Sequence, residues 1–362
     1  MTRVVICTSA HPHDDVRIFH KEAVALAQAG YEVFLLNSQY SGTAACGVRF
    51  VQVPTGNSRA RRMAASWHRY ARAAWKLRPA VCHMHDPELL PAGGYLRRRG
   101  VKIIYDAHED LPKQVLGKLW LPPVLRKAAA GAAGTAEKAM LRRFHLVFCA
   151  TELIAARFRG ITNAVTLHNY PELLEFSQAP PVRERAICYV GALTEARGVI
   201  QMVNAAKLAE VPLLLAGRFE TQELAAEVLS LIAKGSTKYL GILSREETAT
   251  LMARCCAGLV VLHPTPAYKE SIPIKLLEYM AAGIPAIASD FAHWRGLLKN
   301  IGCAIFVNPL DENAIAGAMR TIANTPKQAQ ILGRNGRHAA QIKFSWGHEK
   351  HKLLNAYSAL LQ

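Results

Sequence analysis

The sequence predicts an α/β protein with two domains, each built around a parallel β-sheet. Its 362 residues are enough for two domains that each have a full core. Strand-length apolar segments are followed by helical patterns, the arrangement that produces parallel sheets. The opening illustrates this with a strand at 4–8, a helix at 16–29 that Gly30 ends, and a strand at 31–36.

The composition indicates a folded protein of a reducing compartment. Hydrophobic residues make up 51% of the chain, which excludes a disordered protein. The eight cysteines include no Cys-x-x-Cys pair and most lie in apolar segments, so we expect buried thiols and a cytoplasmic location. We expect no secretory leader, because segment 3–7 is only strand length. We expect no membrane span either, because no apolar run reaches about 18 residues.

The net charge of +17 is spread unevenly. Residues 1–180 carry +11 and the remaining residues +6. A basic first half implies an anionic partner, and the alternatives are a phospholipid surface, a pyrophosphate-linked acceptor and nucleic acid.

The opening loop does not suit an ordinary dinucleotide site. It contains no Gly-x-Gly-x-x-Gly, which disfavours nicotinamide binding. His11 and Asp14 lie in this loop and are weak candidates for contacts to an acceptor. The pair Asp14–Asp15 is not an Asp-x-Asp metal motif, so we predict no metal site here.

Two basic stretches of the first half are candidates for membrane contact. Residues 59–78 interleave seven Lys or Arg with Met63, Trp67, Tyr70 and Trp75, a pattern that can lie on an anionic bilayer. The alternative is that the aromatic residues pack in the core and the arginines are merely solvated. Residues 113–143 form the second candidate.

Histidine and aspartate side chains follow two neighbouring predicted strands. His85 and Asp86 end one of them, and Asp106 and His108 end the next. Because ligands gather at the carboxyl ends of parallel strands, we expect these groups to form one polar rim. Each histidine taken singly is more often structural than catalytic. His85 and Asp86 are weak candidates for acceptor contacts.

In the second half, a glycine loop predicts a phosphate-binding site. The strand at 187–190 leads into Gly191, and a helix follows Gly198. Glycine lets a backbone approach a phosphate closely, and Arg197 would complete the charge. Arg218, after the next strand at 212–216, is either a helper or a surface charge.

A strand–loop–helix segment predicts the rest of that site. The strand at 257–262 precedes a helix for which Ser271 is a suitable N-cap and Pro273 suits the first turn, and Gly283 ends it. Unpaired amides at a helix start suit a phosphate. The predicted donor contacts are Glu270, Ser271, Ile272, Pro273, Ile274 and Glu278, with Glu270 on sugar hydroxyls and Glu278 on a ribose. The alternative is a surface loop and an amphipathic helix with an exposed glutamate.

The run from Glu270 to Asp290 resembles the donor-site signature of the family-4 retaining glycosyltransferases, and residues 11–23 resemble the opening of a bacterial polysaccharide subgroup of that family. The resemblance implies the GT-B fold, with two Rossmann-like α/β/α domains facing each other across a cleft. A Pro-rich polar stretch makes residues 176–185 the predicted linker, and the resemblance makes 1–175 the acceptor-side domain and 186–345 the donor-binding domain. A terminal helix at 346–362 crosses back to the first domain.

The resemblance also implies an activity. The protein would move a sugar from a UDP- or GDP-sugar to a glycan or lipid-linked acceptor in bacterial surface polysaccharide synthesis, with retention at the anomeric carbon. His108 matches the family's histidine that reaches the donor sugar, and Glu270 accepts from that sugar. Arg197, Lys275 and the amides of 271–274 would stabilise the leaving diphosphate without a metal or other cofactor. Lys275 is alternatively a structural partner of Glu278.

Two other functions are weighed against this one. A nucleotide-sugar 2-epimerase of related fold would need no acceptor surface, and the basic amphipathic stretches argue against it. The isoelectric point of about 9.7 raises the alternative of a nucleic-acid-binding protein, but the basic segments contain no recognisable module that reads DNA or RNA. We therefore expect no specific nucleic acid partner and a cytoplasmic enzyme that associates peripherally with the inner face of the plasma membrane.

Overall fold

The computed structural model describes residues 1–54, 59–117, 122–176, 183–233 and 235–362, with the backbone alone for residues 59–65 and 123. The chain divides into two compact units, residues 1–169 with 347–362 and residues 170–346. The predicted linker at 176–185 falls mostly on residues 177–182, which lie outside the described residues.

The first unit is built on a seven-stranded parallel sheet of order β3-β2-β1-β4-β5-β6-β7. The strand order reverses between β1 and β4, and in such sheets ligands bind beyond the carboxyl ends of the strands at that point. The strands are β1 (Arg3–Cys7), β2 (Glu32–Asn37), β3 (Val48–Gln52), β4 (Val81–Met84), β5 (Lys102–Ala107), β6 (Leu146–Cys149) and β7 (Ala164–Thr166).

Helices connect these strands and bury the apolar face of the sheet. Val5 and Cys7 of β1 belong to the same hydrophobic core as Tyr70 and Leu96 from two of the helices. The helical segments are Val16–Ala23, Val24–Gln28, Arg59–Lys76, Pro87–Leu89, Leu90–Arg97, Leu111–Leu116, Pro123–Leu141, Glu152–Ala156 and Trp346–Leu361, the last of which belongs to this unit from Gly347 onward.

The first of these helices differs from the prediction. Residues 16–29 were expected to form one ordinary helix, whereas Val16–Ala23 is a π-helix that continues as an α-helix over Val24–Gln28. Asp15 caps it, since its carboxylate accepts from the amides of Arg17 and Ile18. Buried Arg17, Lys21 and Glu22 lie on this widened turn, and π-turns of this kind occur often at functional sites.

The second unit is built on a six-stranded parallel sheet of order β10-β9-β8-β11-β12-β13. Its strands are β8 (Glu184–Val190), β9 (Leu213–Ala216), β10 (Lys238–Tyr239), β11 (Cys255–Val260), β12 (Ala286–Ser289) and β13 (Ala304–Val307). Its helical segments are Leu173–Phe176, Glu195–Arg197, Val199–Ala209, Gln222–Ile232, Arg245–Arg254, Pro266–Glu270, Ile274–Ala282, Ala292–Leu297, Glu312–Asn324 and Pro326–Lys343.

Helices cover both faces of this sheet. Cys188 and Val190 of β8 pack in the core that holds the helix Ile274–Ala282. Ile187 and Tyr189, which point the other way, pack in the core that holds Val199–Ala209 and Glu312–Asn324. The predicted α/β class with two parallel-sheet domains is therefore confirmed. No helix among the described residues is both long and apolar enough to cross a membrane.

Candidate functional site

Three glycine loops meet at the carboxyl edge of the second sheet. The amide of Gly191 donates to Ala216 O at 2.9 Å, and that of Gly217 donates to Gly241 O at 2.7 Å. A Cβ placed on Gly217, whose φ is +139°, would lie 1.8 Å from the carbonyl oxygen of Gly191. Only glycine fits there, and the loops after β8, β9 and β10 form one backbone-lined surface.

Arg197 lies beside this surface. One of its terminal guanidinium nitrogens is 3.4 Å from where a Cβ of Gly191 would stand. Burial would lower the pKa of Arg197, but the hydroxyls of Tyr189 and Tyr268 raise it above the ordinary arginine value. Tyr268 belongs to the helix Pro266–Glu270. The structure thus brings together the predicted residues Gly191 and Arg197 and the segment that contains Glu270.

For Arg218 the surface-charge alternative agrees with the structure, and a helper role at the phosphate stays a prediction. Its side chain is exposed, while its backbone carbonyl accepts from the Leu193 amide at 2.9 Å. The residue therefore joins two of the glycine loops through its backbone, and its guanidinium has no recorded partner among the described residues.

The segment 265–283 corrects the predicted capping. Thr265, not Ser271, caps a helix, and that helix is Pro266–Glu270. Ser271 ends it, Pro273 is the N-cap residue of Ile274–Ala282 without a side-chain bond, and Gly283 ends that helix at φ +69° as predicted. Glu270 is the exposed last residue of the short helix and not a loop residue. A second cap six residues upstream, Thr265 followed by Pro266, overrode the Ser271 signal.

Hydrogen bonds fix the turn between these two helices, while two of its backbone amides have no acceptor among the described residues. The Trp294 indole N–H donates to Ser271 O at 2.8 Å, and the Ser271 hydroxyl donates to Tyr268 O at 3.1 Å. The amides of Leu276 and Leu277 donate to Pro273 O. In the described chain, no acceptor is recorded for the amides of Ile274 and Lys275. Ile272 is half-buried, Pro273 is buried and Ile274 is exposed. This helix start has the unpaired donors that an anion requires.

Glu278 belongs to a buried ion network. Lys275 Nζ lies 2.6 Å from one of its carboxylate oxygens and an Arg245 nitrogen lies 2.9 Å from the other. Burial would raise the pKa of Glu278, but Lys275 and Arg245 lower it to about 2. Arg245 also pairs with Glu175. The structural pairing of Lys275 with Glu278, one of the two sequence-based alternatives, is present, and the ribose role of Glu278 stays a prediction.

The first unit gathers a buried polar cluster at the ends of β4 and β5. His85 Nδ1 lies 3.0 Å from His108 Nε2. The guanidinium of Arg17, from the π-helix, donates to both carboxylate oxygens of Asp106 at 2.8–2.9 Å and to Leu167 O at 2.8 Å. Glu22 lies 3.0 Å from the Arg17 Nε atom. These contacts bring together three of the four groups expected to form one rim, His85, Asp106 and His108, whereas Asp86 bonds to the opening loop.

Burial and charge set the protonation of this cluster. Burial lowers the pKa of His108 to about 4 and that of His83 to about 3, and it also holds the pKa of His85 well below its ordinary value. Burial would raise the pKa of Asp106, but the positive charge of Arg17 outweighs this effect and lowers the pKa to about 2. The histidines are therefore neutral at neutral pH, and Asp106 is ionised.

One ligand atom each from Glu22, His83, His85 and Asp106 lies within 4.8 Å of the others. That spacing is short enough for a shared cation. Arg17, however, occupies both oxygens of Asp106 and also approaches Glu22. The positive charge at the centre of the group is a guanidinium, and we assign no metal to it.

The opening loop is held by Asp86. Its Oδ2 atom accepts from the amides of Ser9 and Ala10 at 2.6 and 3.2 Å and from the Thr8 hydroxyl at 3.0 Å. His11 lies between Asp86 at 3.4 Å and Asp15 at 3.5 Å. Burial would lower the pKa of His11, but these carboxylates raise it. Asp86 is buried and its carboxylate holds the opening loop in place, whereas Asp14 is exposed on that loop.

The basic helix Arg59–Lys76 packs two of its three aromatic residues against the core, as the second sequence-based alternative has it, and its membrane contact stays a prediction. Tyr70 is buried and donates its hydroxyl proton to Thr8 O at 2.7 Å, and Trp67 packs against the core. Trp75 is 41% exposed, with Arg99 above its ring. The side chains of Arg59, Arg61, Arg62 and Met63 and the predicted contacts Lys118, Trp120 and Leu121 lie outside the described residues.

Sequence reasoning missed several residues that organise both sites. They are Arg17, Glu22, His83, Tyr268, Arg245 and Trp294. One signal was available, because Arg17 and Glu22 are charged residues in a helical segment that follows a buried strand. A charge on the core side of a helix requires a partner, and Asp106 ends a neighbouring strand.

Two family models match the chain. One is described as glycosyl transferases group 1 and matches residues 172–339. The other is described as a glycosyl transferase 4-like domain and matches residues 16–168. Together they span most of both units.

Individual relatives and solved structures agree with these models. The MMP alpha-(1→4)-mannosyltransferase of Mycolicibacterium hassiacum is 30% identical over 46% of this chain and 40% of its own, so the match spans less than half of that relative. Sucrose-phosphate synthase of Thermosynechococcus elongatus has a TM-score of 0.78 at 19% identity and covers 99% of each chain. Anabaena HepE in complex with UDP has a TM-score of 0.74 at 13% identity, covering 99% of this chain and all of its own. At these identities the structural likeness is one of fold.

Proposed function

The chain belongs to the glycosyltransferases of the family-4 type with the GT-B fold, and we propose that it moves a hexosyl group from a UDP- or GDP-sugar to a glycan or lipid-linked acceptor. The observation that carries this proposal is the meeting of Gly191, Arg197 and Tyr268 beside the turn that precedes the helix Ile274–Ala282. That surface offers close backbone, a guanidinium and unpaired amides, the three features that bind a diphosphate.

The same groups stabilise the leaving nucleoside diphosphate in the proposed reaction. Negative charge grows on the β-phosphate as the glycosidic bond breaks, and preorganised donors lower the barrier most where charge develops. Arg197 is held by two tyrosine hydroxyls, so little reorganisation is needed. We propose that these donors act without a metal, and that the acceptor attacks from the face of the leaving group, giving retention.

Lys275 and Glu270 take the remaining donor roles in this proposal. Lys275 is 24% exposed at its side chain although it pairs with Glu278, so its ammonium is accessible to a phosphate while its charge is positioned by the glutamate. Glu270, exposed at the end of its short helix, accepts from donor-sugar hydroxyls. His108 stays the predicted contact to the donor sugar, and His11, Asp14, His85 and Asp86 stay weak acceptor-side predictions.

Transfer assays on two variants test the donor site. Arg197→Ala and Glu270→Ala are each expected to lower transfer more than tenfold, about 1.4 kcal/mol of barrier. Arg320→Ala is the matched control, because that arginine is exposed and donates to Leu208 O, away from the glycine loops. Transfer that survives both site variants within tenfold contradicts the proposal. Conversion of the donor to an epimer without acceptor would instead indicate a 2-epimerase.

We further propose that the first unit contacts an anionic membrane surface, as a glycosyltransferase of surface polysaccharide synthesis would. A 390 Å³ groove there is lined by Trp67, Tyr95, Met140 and Phe144 and flanked by the exposed residues Arg98 and Arg143. Apolar walls beside cations suit an acyl chain with a phosphate headgroup.

Cosedimentation with vesicles tests this membrane contact. Binding is expected to phosphatidylglycerol vesicles and not to phosphatidylcholine vesicles, and the double variant Arg98→Glu, Arg143→Glu is expected to abolish it. Arg254→Glu, on an exposed arginine of the second unit, is the control. The assignment is contradicted if the wild type binds both kinds of vesicle equally. It is also contradicted if the double variant binds phosphatidylglycerol vesicles as well as the wild type does.

A further inference from the structure

Two histidines of the first unit share a hydrogen bond whose direction decides what the outer one can do. His85 Nδ1 and His108 Nε2 lie 3.0 Å apart. His85 is fully buried, whereas the His108 side chain is 18% exposed. Both imidazoles are neutral at neutral pH, so one donates and the other accepts. The bond therefore fixes whether the remaining nitrogen of His108, Nδ1, carries a proton or a lone pair.

The balance of buried charges next to His85 determines the protonation state of Glu22. Two carboxyl groups, Glu22 and Asp106, are buried with a single guanidinium, that of Arg17. Arg17 donates to both oxygens of Asp106, so Asp106 is ionised and the pair is neutral. An ionised Glu22 would leave an uncompensated buried charge. Burial and the neighbouring Asp106 raise the pKa of Glu22 well above its ordinary value, in agreement with a protonated Glu22.

The orientation of Glu22 locates that proton. Its Oε1 atom lies 3.0 Å from Arg17 Nε, the nitrogen that also donates to Asp106 at 2.9 Å. Its Oε2 atom lies on the other side, 3.7 Å from His85 Nε2. Glu22 and Asp106 share a side-chain hydrogen bond, and we place its proton on Oε1, the Glu22 oxygen on the side of Arg17 and Asp106. Oε2 is then a carbonyl-type acceptor toward His85.

One arrangement satisfies the facing atoms of Glu22 and His85. Neither Glu22 Oε2 nor His85 Nε2 has a hydrogen-bond partner among the described residues. Glu22 Oε2 lies 3.7 Å from His85 Nε2 and 3.8 Å from His83 Nδ1, and His83 Nδ1 already pairs with the Tyr357 hydroxyl at 2.9 Å. With the proton of His85 on Nε2, facing Glu22, its Nδ1 must accept from His108 Nε2.

We propose that Glu22 and His85 are positioning residues that hold His108 with its Nε2 proton directed inward and its Nδ1 lone pair left for a ligand. His108 is then a hydrogen-bond acceptor and not a donor. The group that it would recognise is a hydroxyl, and its assignment to a sugar hydroxyl rests on the proposed function. The other charged groups near His108, namely His11 and Asp15, lie on the opening loop.

Nitrogen NMR of the full chain labelled with ¹⁵N-histidine tests the proposal without any substrate, so its failure is distinct from a failure of the glycosyltransferase assignment. His108→Ala identifies the His108 signals. The expected result in the wild type is a protonated Nε2 and an unprotonated Nδ1 for His108. A protonated Nδ1, or a doubly protonated ring, at neutral pH overturns the proposal.

Variants separate positioning from packing. His85→Asn places an amide oxygen near the position of Nδ1 and is expected to keep the wild-type His108 tautomer. His85→Ala removes the acceptor and is expected to give a mixture of tautomers. Glu22→Gln, isosteric with the protonated acid, is expected to leave both the tautomer and the melting temperature unchanged. A His108 tautomer that is unaltered in His85→Ala, or stoichiometric zinc in the purified protein, would show that another interaction sets the ring.

Discussion

At the scale of single residues, Glu278 shows how strongly a buried charge depends on its partners. Glu278 is 2% exposed, and its carboxylate accepts hydrogen bonds from both Lys275 and Arg245. Glu278→Gln removes the charge and leaves both cations without their central anion. We expect a loss of about 3 kcal/mol in the free energy of unfolding at pH 7, measured by urea denaturation. Glu227→Gln, on an exposed helical glutamate, is expected to change nothing.

The same residue predicts a pH dependence. The folded-state pKa of Glu278 is about 2, below its ordinary 4.5, so its contribution is present above pH 4.5 and is lost as the pH falls from 4.5 through 2. The stability difference between wild type and Glu278→Gln is therefore expected to narrow steadily over that range. A difference that stays constant down to pH 3 would mean that the network does not hold the glutamate ionised.

At the scale of elements, the glycine loops after β8 and β9 depend on backbone contact. Gly217→Ala would place a methyl group 1.8 Å from Gly191 O and require a left-handed backbone at φ +139°. We expect it to cost roughly 2 kcal/mol of stability and to remove stabilisation by nucleoside diphosphates in thermal melts.

Gly317→Ala is the matched control, because a Cβ at that helical glycine meets nothing within 4 Å. It is expected to stabilise the protein by about 0.5–1 kcal/mol and to leave nucleotide binding intact. Wild-type nucleotide stabilisation in Gly217→Ala would mean that the close approach of the two loops does not form the binding surface.

Elements are also where sequence-based prediction succeeded and failed. The strands that were predicted followed from apolar runs, because a parallel strand buried on both faces consists almost entirely of apolar residues. The strands Ala286–Ser289 and Ala304–Val307 were not assigned from the sequence. The helix after Ser271 was assigned the wrong cap, since Thr265 with Pro266 carries the same signal for a helix too short to show periodicity. Arg245 lies 33 positions from Glu278 and Glu22 lies 63 positions from His85, and such distant pairings leave no local pattern. Lys275 lies only three positions from Glu278, and this pairing was one of the sequence-based alternatives. Arg17 and Glu22 are the exception, because charged residues on the core side of a helix indicate that a partner of opposite charge lies nearby.

At the scale of the whole molecule, the chain returns to its first unit after residue 346. Tyr357, near the end of the chain, is buried and lies with its hydroxyl 2.9 Å from His83 Nδ1. Tyr357→Phe is expected to destabilise this unit by about 1–2 kcal/mol. Hydrogen exchange should then quicken at Val81–Met84 and stay unchanged at Cys255–Val260.

A matched variant in the other unit reverses that pattern. Tyr239 donates its hydroxyl proton to Gly217 O at 2.8 Å, so Tyr239→Phe should quicken exchange in the second unit alone. Equal acceleration in both units by either variant would contradict the division of the chain.

The most direct measurement for the account as a whole is a crystal structure grown with UDP or GDP. The central claim is that the second unit binds a diphosphate through the Gly191 loop, Arg197 and the amides that precede Leu276. The predicted result is electron density for two phosphates within hydrogen-bond distance of the Arg197 guanidinium and the Ile274 and Lys275 amides. Phosphates bound elsewhere, with no contact to the Arg197 guanidinium or to those amides, would contradict it.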